Sequence, residues 1–159
     1  MRRVDELLDN YSMDHQNPTN QMIHVFCVPA IVWSVSALLW CIPVPYLPAP
    51  YNYLNPGLWG ALAMFLAWMY YWQMSKTLAI GLLLSFTAAG FLNRWILYTY
   101  GIYVLFGLAV GVFVVAWIIQ FIGHKIEGKR PSFLTDLVYL LVGPMWTLRK
   151  LYYRLGIKA

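Results

Sequence analysis

Charge is what this chain has least of. Asp and Glu number 6 and Lys and Arg 11, so charged residues make up 11% of the 159 positions, where a soluble domain is usually about 25% charged. A small soluble globule must cover itself with polar groups, so the deficit excludes an ordinary water-soluble domain. Cysteine is almost absent. Cys27 and Cys41 each fall in an apolar run, which excludes a disulfide framework or a cysteine zinc knuckle and leaves two small buried hydrophobes. Histidine occurs 3 times, too few for the histidine-rich di-iron site of membrane desaturases. Neither a glycine-rich phosphate loop nor a Gly-x-Ser-x-Gly elbow is present. Residues 1–14 hold Asp5, Glu6, Asp9 and Asp14 and no apolar core. No cleavable signal peptide is therefore expected, and insertion rests on internal segments.

What is abundant is apolar. Hydrophobic residues make up 61% of the chain and aromatics 18%. The runs fall near residues 22–42, 57–74, 77–93 and 102–122, each close to the ~20 residues a helix needs to cross a bilayer. The expected fold is all-α: a polytopic membrane protein with four transmembrane helices, forming one membrane-embedded domain over residues 1–159. Val4, Leu7, Leu8 and Tyr11 share one face of a short N-terminal amphipathic helix. Asn17-Pro18 is a strong helix start, an amide cap followed by proline. Pro29 is expected to kink the first span. Residues 43–57, rich in Pro, Tyr and Asn, read as an interfacial loop, and residues 93–101, with Arg94 and Trp95, as the turn between spans three and four.

From His124 onward the chain is basic. Residues 133–155, interrupted by Gly143-Pro144, are expected to form interfacial or re-entrant helices rather than a fifth crossing. Of the 11 Lys and Arg, only Arg94 falls on the side opposite the termini. The excess of positive charge places both termini in the cytoplasm, of a bacterial inner membrane or the endoplasmic reticulum. The basic tail reads as a contact for anionic lipid, and no nucleic-acid partner is expected. Oligomeric state is left open.

This topology gathers all three histidines at one membrane face. His24 starts the first span, His15 lies just upstream, and His124 ends the fourth. Asn20 and His24 stand four residues apart on one helix face, as do Gln120 and His124, with Glu127 extending the second stripe if the helix continues through Gly123. Imidazole is a common ligand for zinc and non-haem iron. Two first shells are open: three histidines, or two histidines with a carboxylate, for which Glu127 is a better candidate than Asp14 or Asp136. Asn17, Asn20 and Gln120 are expected to orient the imidazole rings around the cofactor.

Plainer readings exist for each feature. A histidine at a membrane interface is commonly an amphipathic surface residue. "HQNPTN" is a capping turn in any case. Gly107 and Gly111 form a G-x-x-x-G that close helix packing explains. One alternative to an enzyme is a non-catalytic membrane protein whose His15, His24 and His124 hold a structural metal or haem. A small lipid transporter is a weaker rival, because no span carries a charge at mid-depth.

"YSMDHQNPTNQMIHVFCVP", residues 11–29, resembles the first signature of the fungal 2-hydroxy fatty acid dioxygenase family. "QFIGHKIEGKRPSF", residues 120–133, resembles its second. Motif order and the four-span layout are also similar, over nearly the whole chain. The resemblance implies an iron-dependent dioxygenase with Fe(2+) as cofactor and a 2-hydroxy fatty acid, O2 and membrane lipid as partners. The acid loses its carboxyl carbon and becomes a fatty acid one carbon shorter; in fungi this serves phytosphingosine breakdown at the endoplasmic reticulum. Carried over position by position, the metal-site residues are His15, His24 and His124, with Glu127 at the acidic position. On this reading Lys125, Lys129 or Arg130 assists catalysis by neutralising the carboxylate. The acyl chain is expected between the first and fourth spans.

Overall fold

The structure, a computed structural model, describes residues 3–46, 48–49, 56–130 and 138–157. Among the described residues six helices follow in order: α1 Arg3–Met13, α2 Pro18–Trp40, α3 Leu58–Met74, α4 Lys76–Tyr100, α5 Ile102–Glu127 and α6 Val138–Arg154. Among the described residues three of these, α2, α4 and α5, are long and apolar enough to cross a membrane. Helix α3, where the second crossing was expected, has 17 residues, or about 26 Å at 1.5 Å per residue.

Helix α1 forms because its apolar residues recur at helical spacing. Val4, Leu8 and Tyr11 are buried as expected, and the face packs against α6. The chain then breaks and restarts at Asn17, whose Oδ1 accepts hydrogen bonds from the amides of Thr19 (2.9 Å) and Asn20 (3.4 Å). Pro18 occupies the first turn of α2, and the helix continues past Pro29 to Trp40.

Two expectations fail in a physically informative way. The turn expected over residues 93–101 is helix: α4 runs to Tyr100 and stops only at Gly101, whose φ of 87° suits glycine. Asn93 is polar yet fully buried, and its Nδ2 donates to Ser36 Oγ at 3.2 Å. It joins α4 to α2 rather than ending a helix. The break expected at Gly143-Pro144 is also absent, since α6 is continuous from Val138 to Arg154. Thr147 Oγ1 donates to the carbonyls of Gly143 (3.2 Å) and Pro144 (3.0 Å), and Val142–Thr147 are buried. Asp136 and the rest of residues 131–137 lie outside the described residues.

Helices α2 and α5 form the most extensive pair, and α6 contacts α1, α2 and α4. One core joins Val4, Leu8 and Tyr11 of α1 to Tyr71, Leu82, Val142 and Trp146. A second, between α2, α4 and α5, holds Ala37, Trp40, Ile96, Leu105 and Ala109. The G-x-x-x-G plays no part in it: a Cβ at Gly107 or Gly111 would meet nothing within 4 Å. The outward faces of α4 and α5 expose Leu84, Phe91, Val115 and Ile118, an apolar surface suited to lipid.

Candidate metal centre

The start of α2 and the end of α5 meet, and they meet closely. A Cβ at Gly123 would stand 2.5 Å from Asn20 Oδ1 and 3.3 Å from Ile23. Only glycine allows α5 this near to α2, one residue before His124. Glu127, three residues further on, ties the two ends together. Its carboxylate accepts from the amides of Gln16 (2.8 Å) and Asn17 (2.9 Å) and from Asn20 Nδ2 (3.0 Å). These donors lie at the N-terminus of α2, where the helix dipole favours a negative charge.

Inside this clasp His15, His24 and His124 are all buried, each offering one ring nitrogen within 4.8 Å of the others. Ring centroids lie 4.4 Å apart for His15–His24, 5.2 Å for His15–His124 and 4.9 Å for His24–His124. The chain itself sets two tautomers. His15 Nδ1 donates to the Tyr11 carbonyl at 2.7 Å, and His24 Nδ1 donates to the Asn20 carbonyl at 2.9 Å. Both neutral rings therefore turn an Nε2 lone pair inward, and these two atoms are 3.2 Å apart. Burial lowers the pKa of His15 from 6.5 to about 4, so a proton does not fill the gap at neutral pH. Two nitrogens, each about 2.1 Å from one ion, stand about 3.0–3.4 Å apart. Among the described residues His124 Nδ1 is buried without a hydrogen-bond partner. The donor set therefore fits a transition metal: two oriented lone pairs at ligand spacing and a third imidazole with an unsatisfied nitrogen.

Aromatic rings wall in the centre. Tyr11 stacks on His15 at 4.2 Å with an interplanar angle of 14°. Trp146 of α6 lies 5.5 Å from His15 and 6.5 Å from His24, and its Nε1 donates to Ser12 Oγ at 2.9 Å. Lys150, one turn further along α6, sits 4.1 Å over Trp146 and donates to Gln21 Oε1 at 2.5 Å. Gln21 Nε2 in turn donates to the His15 carbonyl at 2.7 Å. Burial, with Arg154 adding to it, lowers the Lys150 pKa. Toward the apolar interior the histidines open onto a small cleft of about 50 Å³, whose lining includes Tyr11, Val28, Trp117, Gln120 and Gly143.

The expected residues are not placed alike. The three histidines converge. Glu127 lies outside their group, held at the start of α2. Asn17 is the helix cap, and Asn20 orients His24 through its backbone carbonyl while its side chain binds Glu127. Gln120 is buried and lines the cleft. Lys129 donates to the Met13 carbonyl (2.8 Å) and pairs with Asp14 (3.1 Å), fastening α5 to the end of α1. Lys125 and Arg130 are exposed. Sequence reasoning missed Tyr11, Trp146 and Lys150. Tyr11 carries a signal, four residues before His15 at the end of a helix; nothing in the basic tail marks Trp146.

Residues 1–155 match the family model described as 2-hydroxy-palmitic acid dioxygenase Mpo1-like. The chain is 29% identical over 149 residues to the 2-hydroxy-palmitic acid dioxygenase MPO1 of Saccharomyces cerevisiae, covering 92% of this chain and 78% of that protein. No solved structure matches it. A match over all but the last four residues, containing every histidine of the buried triad, is far more than half the chain: it belongs to the Mpo1-like family.

Proposed function

We propose that this protein is a membrane-embedded, Fe(II)-dependent dioxygenase that shortens long-chain 2-hydroxy fatty acids by one carbon. The observation that carries the reading is the pair of inward-facing Nε2 atoms of His15 and His24, 3.2 Å apart, beside the unsatisfied ring nitrogen of His124. Family membership supplies the substrate class: the yeast relative is a 2-hydroxy-palmitic acid dioxygenase. The overall reaction, R–CH(OH)–COOH + O2 → R–COOH + CO2 + H2O, balances without an external reductant.

His15, His24 and His124 would hold the iron, and three protein ligands leave positions for substrate and oxygen. Iron bound there supplies the redox chemistry that dioxygen needs and a template for the C1–C2 end of the acid. The carbonyls of Tyr11 and Asn20 keep both ring lone pairs on the metal side. Tyr11 and Trp146 shield the centre from water, and Glu127 keeps α5 registered on α2. Lys125, Lys129 and Arg130, at the same end of α5, create a positive field that draws a carboxylate toward the site.

Four crossings with both termini in the cytoplasm fit this reading. The N-terminus of α2 and the C-terminus of α5 share one end, so an even number of crossings must separate them. Helix α3 then spans despite its 17 residues, which local bilayer thinning accommodates.

The test is turnover of 2-hydroxypalmitate by purified protein supplied with ferrous iron, in air and under argon. Pentadecanoate forming only with both iron and oxygen is the expected result. Absence of chain shortening by iron-loaded protein in air overturns the proposal.

A further inference from the structure

The histidine cleft is not the only open space beside the metal centre. A larger cavity, of about 440 Å³, lies between α2, α4 and α6, and Val28 and Val32 line both. Gly143 lines the cleft and its neighbour Pro144 lines the cavity. The two spaces are adjacent, with Val28 and Val32 of α2 and Gly143-Pro144 of α6 forming the boundary between them. A Cβ at Gly143 would lie 3.4 Å from Tyr11 Oη and 3.5 Å from Val28, so any side chain there would occupy the space that glycine leaves at this boundary.

The cavity is largely apolar. Its walls include Val25, Pro29, Leu82, Phe86, Ala89 and Leu148. Both hydroxyls on it serve their own helices: Ser85 donates to the Gly81 carbonyl, and Thr147 to those of Gly143 and Pro144. Trp33 also lines the cavity, and among the described residues its Nε1 is buried without a hydrogen-bond partner; the remaining walls are apolar, and the volume suits a largely apolar ligand.

We infer that the acyl chain of the 2-hydroxy acid runs from the metal centre past Val28 and Gly143 into the cavity between α2, α4 and α6. The inference rests on the proposed activity for the head group of its ligand. It differs from the sequence expectation of a chain lying between α2 and α5. The wall shared with the histidine cleft favours this occupant over a bilayer lipid, whose head group the buried centre has no room to admit. Ala89, on the α4 wall, then limits the chain that fits.

The test uses full-length protein in phosphatidylcholine nanodiscs and 2-hydroxypalmitate carrying a terminal diazirine. Crosslinks are expected on α4 and α6, around Ala89 and Leu148, suppressed by excess unlabelled 2-hydroxypalmitate. Crosslinks confined to α5, or equal labelling of the same residues by a diazirine phosphatidylcholine, overturn the assignment. Ala89→Phe is expected to lower the ratio of kcat/KM for the C16 over the C10 2-hydroxy acid by about tenfold or more. Val114→Phe, on the lipid-facing side of α5, leaves that ratio at the wild-type value. An unchanged ratio in Ala89→Phe also overturns the assignment, and Ala89→Val repeats the test with a smaller step if the larger side chain prevents folding. The two proposals fail separately: an inert wild type sinks the activity, while the crosslinking pattern still judges the chain site.

Discussion

The two ends of the α2–α5 pair are built by opposite rules. At one end α2 meets α5 through directed polar contacts: Glu127 on three donors, Asn20 against Gly123, and three imidazoles turned to a common point. At the other end contact is mainly apolar, through Ala37, Trp40, Leu105 and Ala109, with the Asn93–Ser36 hydrogen bond alongside. Packing of the second kind holds helices together but tolerates small shifts, because dispersion is spread over many atoms. Polar contacts of the first kind fix register to a few tenths of an ångström, which a metal site requires. The same pair of helices thus carries a joint where position matters and a joint where cohesion suffices.

The sharpest way to break this contrast is to remove a lone pair at the precise end. His24→Ala is expected to abolish iron binding and turnover, with a loss of more than about 100-fold in metal affinity or activity, while helix content in detergent stays near wild type. Iron binding retained in that variant would refute the triad as the metal centre.

Acid should act on the same end. The His15 pKa is lowered from 6.5 to about 4 by burial, so the unfolded chain binds a proton there more readily than the folded one. Its contribution is fully present above pH 6.5 and is lost as pH falls from 6.5 toward 4. Metal-free protein in detergent should show a falling thermal midpoint across that window, and the His15→Gln variant a flatter profile.

Gly123→Leu probes how closely the ends must approach. Overpacking here should cost about 1–3 kcal/mol and lower iron occupancy, whereas Gly111→Leu, facing open space, should change neither. Equal behaviour of the two variants in metal analysis and thermal melts would erase the distinction between the ends.

Two smaller effects complete the series. Glu127→Gln weakens charge-assisted bonds near the surface and should cost about 1 kcal/mol, lowering metal affinity modestly without abolishing binding. Asn93→Leu, at the cohesive end, should shift stability by about 0.6 kcal/mol and leave metal affinity unchanged. An Asn93 effect on metal binding larger than that of Glu127 would reverse the comparison.

Helix existence was legible in the residues because it is a local property. Val4, Leu8 and Tyr11 at i, i+4 and i+7 announced α1, and Asn17-Pro18 announced the start of α2. Asn93 and Gly143-Pro144 were misread as breaks, because a polar residue or a proline need not end a helix that tertiary packing holds. Ser36 accepts from the Asn93 side-chain amide and seats it inside the bundle, and buried packing from Val142 to Thr147 carries α6 through Gly143-Pro144. The three histidines were legible as a set, since helix direction alone brought them to one face. The position of Glu127 was legible but its contacts were not: spacing placed it on the His124 stripe, whereas its carboxylate binds the amides at the start of α2.

From composition and periodicity alone came the medium, the helices and the gathering of all imidazoles at one end, because each depends on hydrophobicity and the 3.6-residue repeat. The tautomers of His15 and His24 are set within a single turn, by the carbonyls of Tyr11 and Asn20. Only tertiary packing decided that Trp146 closes the centre and that Glu127 clasps α2. Those outcomes join residues more than a hundred positions apart, and no local pattern specifies which distant group arrives. What arrives is set by how closely two helices approach, and at Gly123 that distance is limited by the absence of a single carbon atom.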